Sequence, residues 1–330
     1  MSMKQSKLSV LTPLAIVFTL ALTFATLELP AMLNMILRGY FPDIYWEPES
    51  IEALMKYARP IGYACLVVVV SLIVIGFITE RRRFASLGSF IFFLPAFGYF
   101  AASMFFLAGI GILRAMWLPF WDSSPTLLKL GYVSYIPFWI VMYPLQLLNG
   151  AISWLAGNFL ASLVVGAGLF IFCVGTLSWF YGKFEKKEIF DFWIYKYSRH
   201  PQYLGFILWS YGVMLLTTLA PVPFGGYQPE PSFPWLVSTL LVICVALTEE
   251  TKMVRQYGES YLTYRRSAPF MLPLPIFLSR MFTAPARMIL KKEYPERGRD
   301  VVYTFVIYCI ILIVLSTIIQ QVNLLLGILR

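Results

Sequence analysis

The chain has 330 residues and a formal charge of +9, yet only 13% of its residues are charged and 59% are hydrophobic. A soluble globular domain holds about 25% charged residues, so an ordinary soluble fold is excluded. The basic residues gather in short loops between apolar runs, which reads as membrane topology under the positive-inside rule and not as a nucleic-acid surface.

Lys4 and Lys7 precede the first apolar run, Leu8 to Leu29. It is too long for a signal-peptide core and lacks a small-residue cleavage site, so it reads as a retained helix with a cytoplasmic N-terminus. Asp43, Glu47, Glu49 and Glu52 then outnumber Arg38 and Lys56, which suits the outer side. A second helix is predicted over Arg59 to Thr79, ending at the inside signal Arg81-Arg82-Arg83. Apolar segments follow at Ser86 to Leu113, Leu128 to Leu148 and Ala151 to Tyr181, with Pro95, Pro119 and Pro137 as break points. The last is long enough to tilt or to project from the bilayer. A basic loop (Lys183, Lys186, Lys187, Lys196, Arg199) leads into an apolar segment from Tyr203 to Ala220. A Pro/Gly-rich loop spans Pro221 to Pro234. The segment from Trp235 to Thr248 ends on Glu249-Glu250, and a basic, cytoplasmic stretch with Arg280, Arg287, Lys291 and Lys292 precedes a final helix from Val302 to Leu329.

Each spanning helix needs about 20 apolar residues, and continuous rather than alternating apolar runs argue against a barrel. The expected fold is all-α: a polytopic transmembrane helical bundle of about seven to nine membrane segments with a cytoplasm-facing C-terminal core. The Arg81 and Lys183 loops both read as cytoplasmic while three apolar segments lie between them, so the number of crossings stays a range. Three regions are expected: N-terminal transmembrane helices over 1–155, the core over 156–280, and a cytoplasmic segment with the final helix over 281–330. Cys65, Cys173, Cys244 and Cys309 lie in apolar segments without metal-ligand spacing, so they read as packing residues and no metal site is expected.

Polar chemistry concentrates in one place. His200 is the single histidine and stands between Arg199 and Pro201 at the start of an apolar helix. Proline suits the first helical position, which sets His200 beside free backbone N–H groups. Tyr203 follows one turn on, and Gly205 permits close approach of a backbone or ligand. The short loop makes a helical hairpin, bringing Glu249-Glu250 back toward Arg199; acidic residues at membrane depth are costly and mark functional sites. Tyr257, Tyr261 and Tyr264 recur at spacings that would put them on one helical face, which also suits interfacial anchoring.

The order Tyr195, Arg199-His200-Pro201-Gln202-Tyr203-Leu204-Gly205, Glu249-Glu250, Tyr257-Gly258, Tyr261, Tyr264 and Ala268-Pro269-Phe270-Met271-Leu272-Pro273 resembles the isoprenylcysteine carboxyl methyltransferase and phospholipid methyltransferase superfamily of integral membrane enzymes. The resemblance covers roughly residues 160 to 275. It departs from the pattern where the family has Gly-Pro before the tyrosine and this chain has Trp193-Ile194. The resemblance implies S-adenosylmethionine as methyl donor and a lipid-like or prenylated acceptor at the cytoplasmic face of the lipid bilayer. It implies that Tyr195, His200, Tyr203, Gly205, Glu250, Tyr257, Tyr261, Pro269 and Leu272 hold the cofactor. Arg199, Glu249, Glu250 and Arg265 would meet the acceptor or serve the transfer. A sterol-reductase-like oxidoreductase using NADPH is the alternative enzyme class, and Pro201 with the Glu pair disfavours it. A non-catalytic membrane scaffold or transporter is the alternative outside enzymes.

Overall fold

The computed structural model describes residues 3–29, 32, 36, 48–79, 81–99, 112–148, 150–219 and 230–326. Among these there is no β-strand. The α-helices are α1 (Met3–Leu27), α2 (Pro48–Ile78), α3 (Arg82–Phe93), α4 (Leu118–Ser123), α5 (Ile136–Leu148), α6 (Gly150–Phe184), α7 (Pro201–Leu219), α8 (Ser232–Tyr257), α9 (Glu259–Ser267), α10 (Ile276–Leu290) and α11 (Gly298–Leu326). The expected all-α membrane bundle is borne out. Among the described residues, five helices are long and apolar enough to cross a bilayer: Met55–Ile78, Ile152–Phe184, Pro201–Leu219, Ser232–Tyr257 and Gly298–Val322. Shorter apolar helices, Leu11–Leu27 and Arg83–Ala96, add to these. Asp43, Glu47 and residues 221–229 of the proline-rich loop lie outside the described residues.

Two segments are shorter than the sequence reading has them, and proline accounts for both. The run from Ser86 is not one long helix: α3 ends at Phe93, and a 3-10 helix, Leu94–Tyr99, takes over around Pro95. The run from Leu128 begins in 3-10 turns, and only Ile136–Leu148 is α-helical, with Pro137 in its first turn. Pro119 likewise opens α4. The missing N–H and fixed φ of proline favour first-turn positions and interrupt a continuing helix. With 12 and 13 residues, α3 and α5 fall short of spanning length, whereas α6 has 35. At 1.5 Å per residue α6 is about 52 Å long, well beyond a hydrocarbon core of about 30 Å.

The chain divides into two compact units. The first joins Met1–Thr26, Leu163–Gly212 and Ile243–Ile307. Its helices pack through bare backbone. A Cβ on Gly205 would lie 2.5 Å from Phe172 N and 2.7 Å from Gly168 O, and one on Gly168 would lie 2.3 Å from Trp209 N. Lower on α6, Gly175 faces Pro201 and Gln202, and Gly182 faces the Phe190 ring. Positions 168, 175 and 182 repeat every seven residues, so one glycine stripe receives α7 and the strand of chain that precedes it. Small residues at membrane helix contacts permit this closeness. Helix α1 is part of the unit: Ala15 packs with Cys173, Val174, Trp193 and Ile194, and Trp209 Nε1 donates to Thr26 Oγ1 at 3.3 Å. A further cluster joins Leu204, Ala246 and Met271 to Tyr203 and Phe270.

The second unit joins Leu27–Ser162, Val213–Val242 and Tyr308–Arg330. Helices α2 and α3 meet at Gly76 against Ala85 and at Gly88 against Ile73. Ser89 and Ser238 hydroxyls pair at 2.9 Å, and Trp117 Nε1 donates to the Phe92 carbonyl at 3.1 Å. The Tyr135 hydroxyl bonds to both Thr218 and Glu230.

Candidate active site

The site is built in the first unit, where the chain entering α7 meets the second half of α8 and the turn after α9. Glu249 and Glu250 do not end α8. The helix continues to Tyr257, two turns further than the apolar run suggested. This lets both carboxylates be held by rigid helix instead of a loop.

Arg199 is tied through both its backbone and its side chain. Its backbone N–H donates to the Pro269 carbonyl at 2.9 Å, and Nη1 donates to the Arg265 carbonyl at 3.3 Å. Its Nε lies 3.1 Å from Glu250 Oε1, with the two side chains 3% and 4% exposed. The contact is an ion pair by distance, but the Nε–H is not aimed at that oxygen, so this buried donor is left without a hydrogen-bond acceptor. His200 Nε2 approaches the same Glu250 oxygen at 3.2 Å, and its Nδ1 lies 3.8 Å from Glu249 Oε2. One carboxylate oxygen is thus shared by two basic side chains. The Tyr203 hydroxyl donates to Glu249 Oε1 at 2.9 Å. Phe270 packs its ring edge-on against His200 at 5.1 Å, and the Arg199 guanidinium carbon lies 5.8 Å from its centroid.

A ring of tyrosines supports this cluster. The Tyr264 hydroxyl donates to the Tyr195 carbonyl at 2.8 Å, and the Tyr195 hydroxyl donates to Gln202 Oε1 at 3.1 Å. Burial pushes the phenols of Tyr195, Tyr261 and Tyr264 well above their ordinary range. For Tyr261 the Glu250 charge adds to the rise and Arg199 opposes it. All three remain hydrogen-bond donors at neutral pH and are not bases. Arg265 turns its guanidinium away from the cluster onto the face of Tyr294, 3.6 Å from the ring centroid, so its contribution to Arg199 is its carbonyl.

Of the residues singled out in the sequence, Arg199, His200, Tyr203, Glu249, Glu250 and Pro269 are directly joined. Tyr195 and Arg265 brace them, and Tyr261 is buried with its ring edge-on to Tyr264. Three behave differently. The bare face of Gly205 is filled by Phe172 and Gly168, which gives it a packing contact. Tyr257 does not share a helix with Tyr261 and Tyr264: Gly258, at φ 53° and ψ −128°, ends α8 and begins α9. Leu272 is 49% exposed. Sequence reasoning missed Gln202, Phe270 and Tyr294 as partners, because each acts on a residue beyond its own element or turn. Trp193 adopts φ 51°, left-handed backbone that favours glycine, at the place where the resembling family carries glycine.

Comparison with known proteins bears on this arrangement. The chain is 35% identical over 89 residues to a protein-S-isoprenylcysteine O-methyltransferase of Schizosaccharomyces pombe. The match takes in 24% of this chain and 31% of the relative, so the chain spans under a third of the length of the curated protein it matches. No protein-family description matches the chain. No solved structure matches it either. The resemblance to the isoprenylcysteine methyltransferase superfamily, first carried by the motifs, is thus supported by a relative that has that activity by name.

Proposed function

We propose that this membrane protein is an S-adenosylmethionine-dependent methyltransferase acting on a lipid or prenylated acceptor at the cytoplasmic membrane interface. The observation that carries the reading is the buried Glu250 oxygen, 3.1 Å from Arg199 and 3.2 Å from His200, beside an Arg199 Nε–H that lacks an acceptor. An unsatisfied buried donor costs about 1–3 kcal/mol, so the site favours a ligand with an anionic or carbonyl oxygen. The methyl donor has such a carboxylate, together with an ammonium group, ribose hydroxyls and a flat base. The residues present fit it: Arg199 and His200 would hold the carboxylate, Glu249 or Glu250 the ammonium or hydroxyl groups, and the rings of Tyr203 and Phe270 the apolar faces. Bound there, S-adenosylmethionine supplies a methyl group activated by a cationic sulfur.

The chain's own task is then positioning and charge. Transfer removes the positive charge on sulfur, so the carboxylates of Glu249 and Glu250 stabilise the donor-bound state and must not over-stabilise it. The Arg199–Glu250 contact and the Tyr203–Glu249 bond divide that negative charge among fixed partners. Holding two reactants in line contributes several kcal/mol to catalysis without any covalent step. A carboxylate acceptor needs no proton removed. An amine acceptor does, and Glu249, half-buried at the cluster's edge, would take it.

The test is cofactor-induced thermal stabilisation of the purified protein, paired with transfer of labelled methyl groups into a host lipid extract. S-adenosylmethionine stabilises the wild type, His200→Ala and Glu250→Gln lose that effect, and label enters the lipid fraction. Stabilisation by NADPH instead would refute the donor. Unchanged donor affinity in both variants would refute the site, and label confined to water-soluble products would refute the acceptor.

A further inference from the structure

Helix α10 has an amphipathic surface that the proposed methyl transfer does not use. None of its residues is buried. Phe277 and Met288 are 75% and 77% exposed, and Met281, Phe282 and Ile289 are exposed beside them. With 3.6 residues per turn these five side chains fall within an arc of about 140°. Ser279, Arg280, Thr283 and Arg287 occupy the opposite side. Arg287 Nη2 donates to the Arg280 carbonyl at 2.9 Å, which lays the guanidinium along that polar face.

Length and tethering say what the apolar face meets. The 15 residues of α10 reach about 22 Å, short of the roughly 30 Å needed to cross. Gly298 opens α11, whose Gly298–Val322 portion has spanning length and composition. Only residues 291–297 intervene, and fully extended they reach no more than about 25 Å. The helix is therefore held close to the point where the chain enters the bilayer, and lipid is the apolar medium within reach. The local charge has a basic excess: Arg280, Arg287, Lys291, Lys292, Arg297 and Arg299 against Glu293, Glu296 and Asp300. Lys292 is held by Asp300 at 2.9 Å and Glu296 at 3.0 Å. Lys291, at φ 55°, ends α10 and turns the chain toward α11.

We propose that α10 lies flat in the headgroup layer, its apolar face in the acyl boundary and its arginines on anionic phospholipid. Such helices bind through apolar area together with attraction to anionic lipid. The inference stands on membrane embedding alone and is separate from the methyl donor.

The experiment uses the full chain with Cys65, Cys173, Cys244 and Cys309 replaced by alanine. An environment-sensitive fluorophore is attached at Met281→Cys or Thr283→Cys, and the protein is reconstituted into phosphatidylcholine vesicles with or without phosphatidylserine. The Met281 label shows blue-shifted emission that brominated lipid quenches. Phosphatidylserine strengthens this signal, and high salt or the double change Arg280→Glu/Arg287→Glu removes the gain. The Thr283 label stays water-like. Equal, water-like emission at both positions in every vesicle overturns the proposal. A blue-shifted Met281 signal that brominated lipid does not quench also overturns it, because the face then lies against protein, such as a second copy. So does a response indifferent to phosphatidylserine.

Discussion

Replacing Gly205 by alanine inserts one methyl group where two helices touch through backbone. The new carbon would sit 2.5 Å from Phe172 N, 2.7 Å from Gly168 O and 2.8 Å from Phe172 Cα. Ordinary contact begins near 3.4 Å, so α6 and α7 must part by about 1 Å. All three obstacles are backbone atoms, and no rotamer change relieves them. Overpacking of this kind costs about 1–3 kcal/mol. The site should feel it as well, since α7 starts immediately after His200 and Gly175 seats Pro201 and Gln202. A displacement of about 1 Å among reacting groups costs on the order of 100-fold in rate. The assay is the apparent Tm in nanodiscs at fixed scan rate, read beside methyl-donor affinity. Gly166→Ala, on α6 with open space around it, is the control and lowers neither. Gly168→Ala matches Gly205→Ala, and the double variant costs less than the two added, because both open one contact. A Gly205→Ala protein as stable and as tight-binding as Gly166→Ala would refute the packing argument.

Three further outcomes are expected. Gly258→Ala lowers the apparent Tm although its Cβ meets nothing, because φ 53° with ψ −128° admits little besides glycine; the cost is roughly 1–3 kcal/mol, and an unshifted Tm contradicts it. Burial pushes the Glu230 carboxyl up, against the pull of Tyr135 and Lys129. Its contribution to stability is then complete below the ordinary carboxylate range and is lost as pH rises through the folded value, so the Tm advantage of wild type over Glu230→Gln shrinks with rising pH; a flat difference would sink this reading. Tyr294→Leu removes the stack on Arg265, worth about 0.5–2 kcal/mol, and lowers the Tm modestly, whereas Tyr294→Phe does not.

The contacts of the site were readable where chemistry is unusual for its surroundings. Arg199, His200 and Glu249-Glu250 stand out because charges are expensive near lipid, and the structure joins all four. Pro95, Pro119 and Pro137 were marked as breaks, and helices change or begin at each. The face predicted for Tyr257, Tyr261 and Tyr264 failed because the spacing was read across Gly258, whose positive φ interrupts the helix. The Gln202 hydrogen bond and the Phe270 ring contact leave no periodic trace, since they depend on how α7 and the post-α9 turn pack. Gly205 shows the same limit: its identity signals close approach, but only the fold says that Gly168 and Phe172 do the approaching.

The tie between α1 and the second half of α6 bears on synthesis. Thr26 and Leu163 border successive pieces of one unit, so the ribosome adds well over a hundred residues after α1 before its partner helix appears. At about 5–20 residues per second that interval is roughly 7–30 s. Throughout it Ala15 and Thr26 lack these partners, and Trp193, which packs against the cluster of Ala15 and Cys173, arrives later still. Helix α1 therefore waits longer for its final neighbours than helices whose partners follow directly in the sequence.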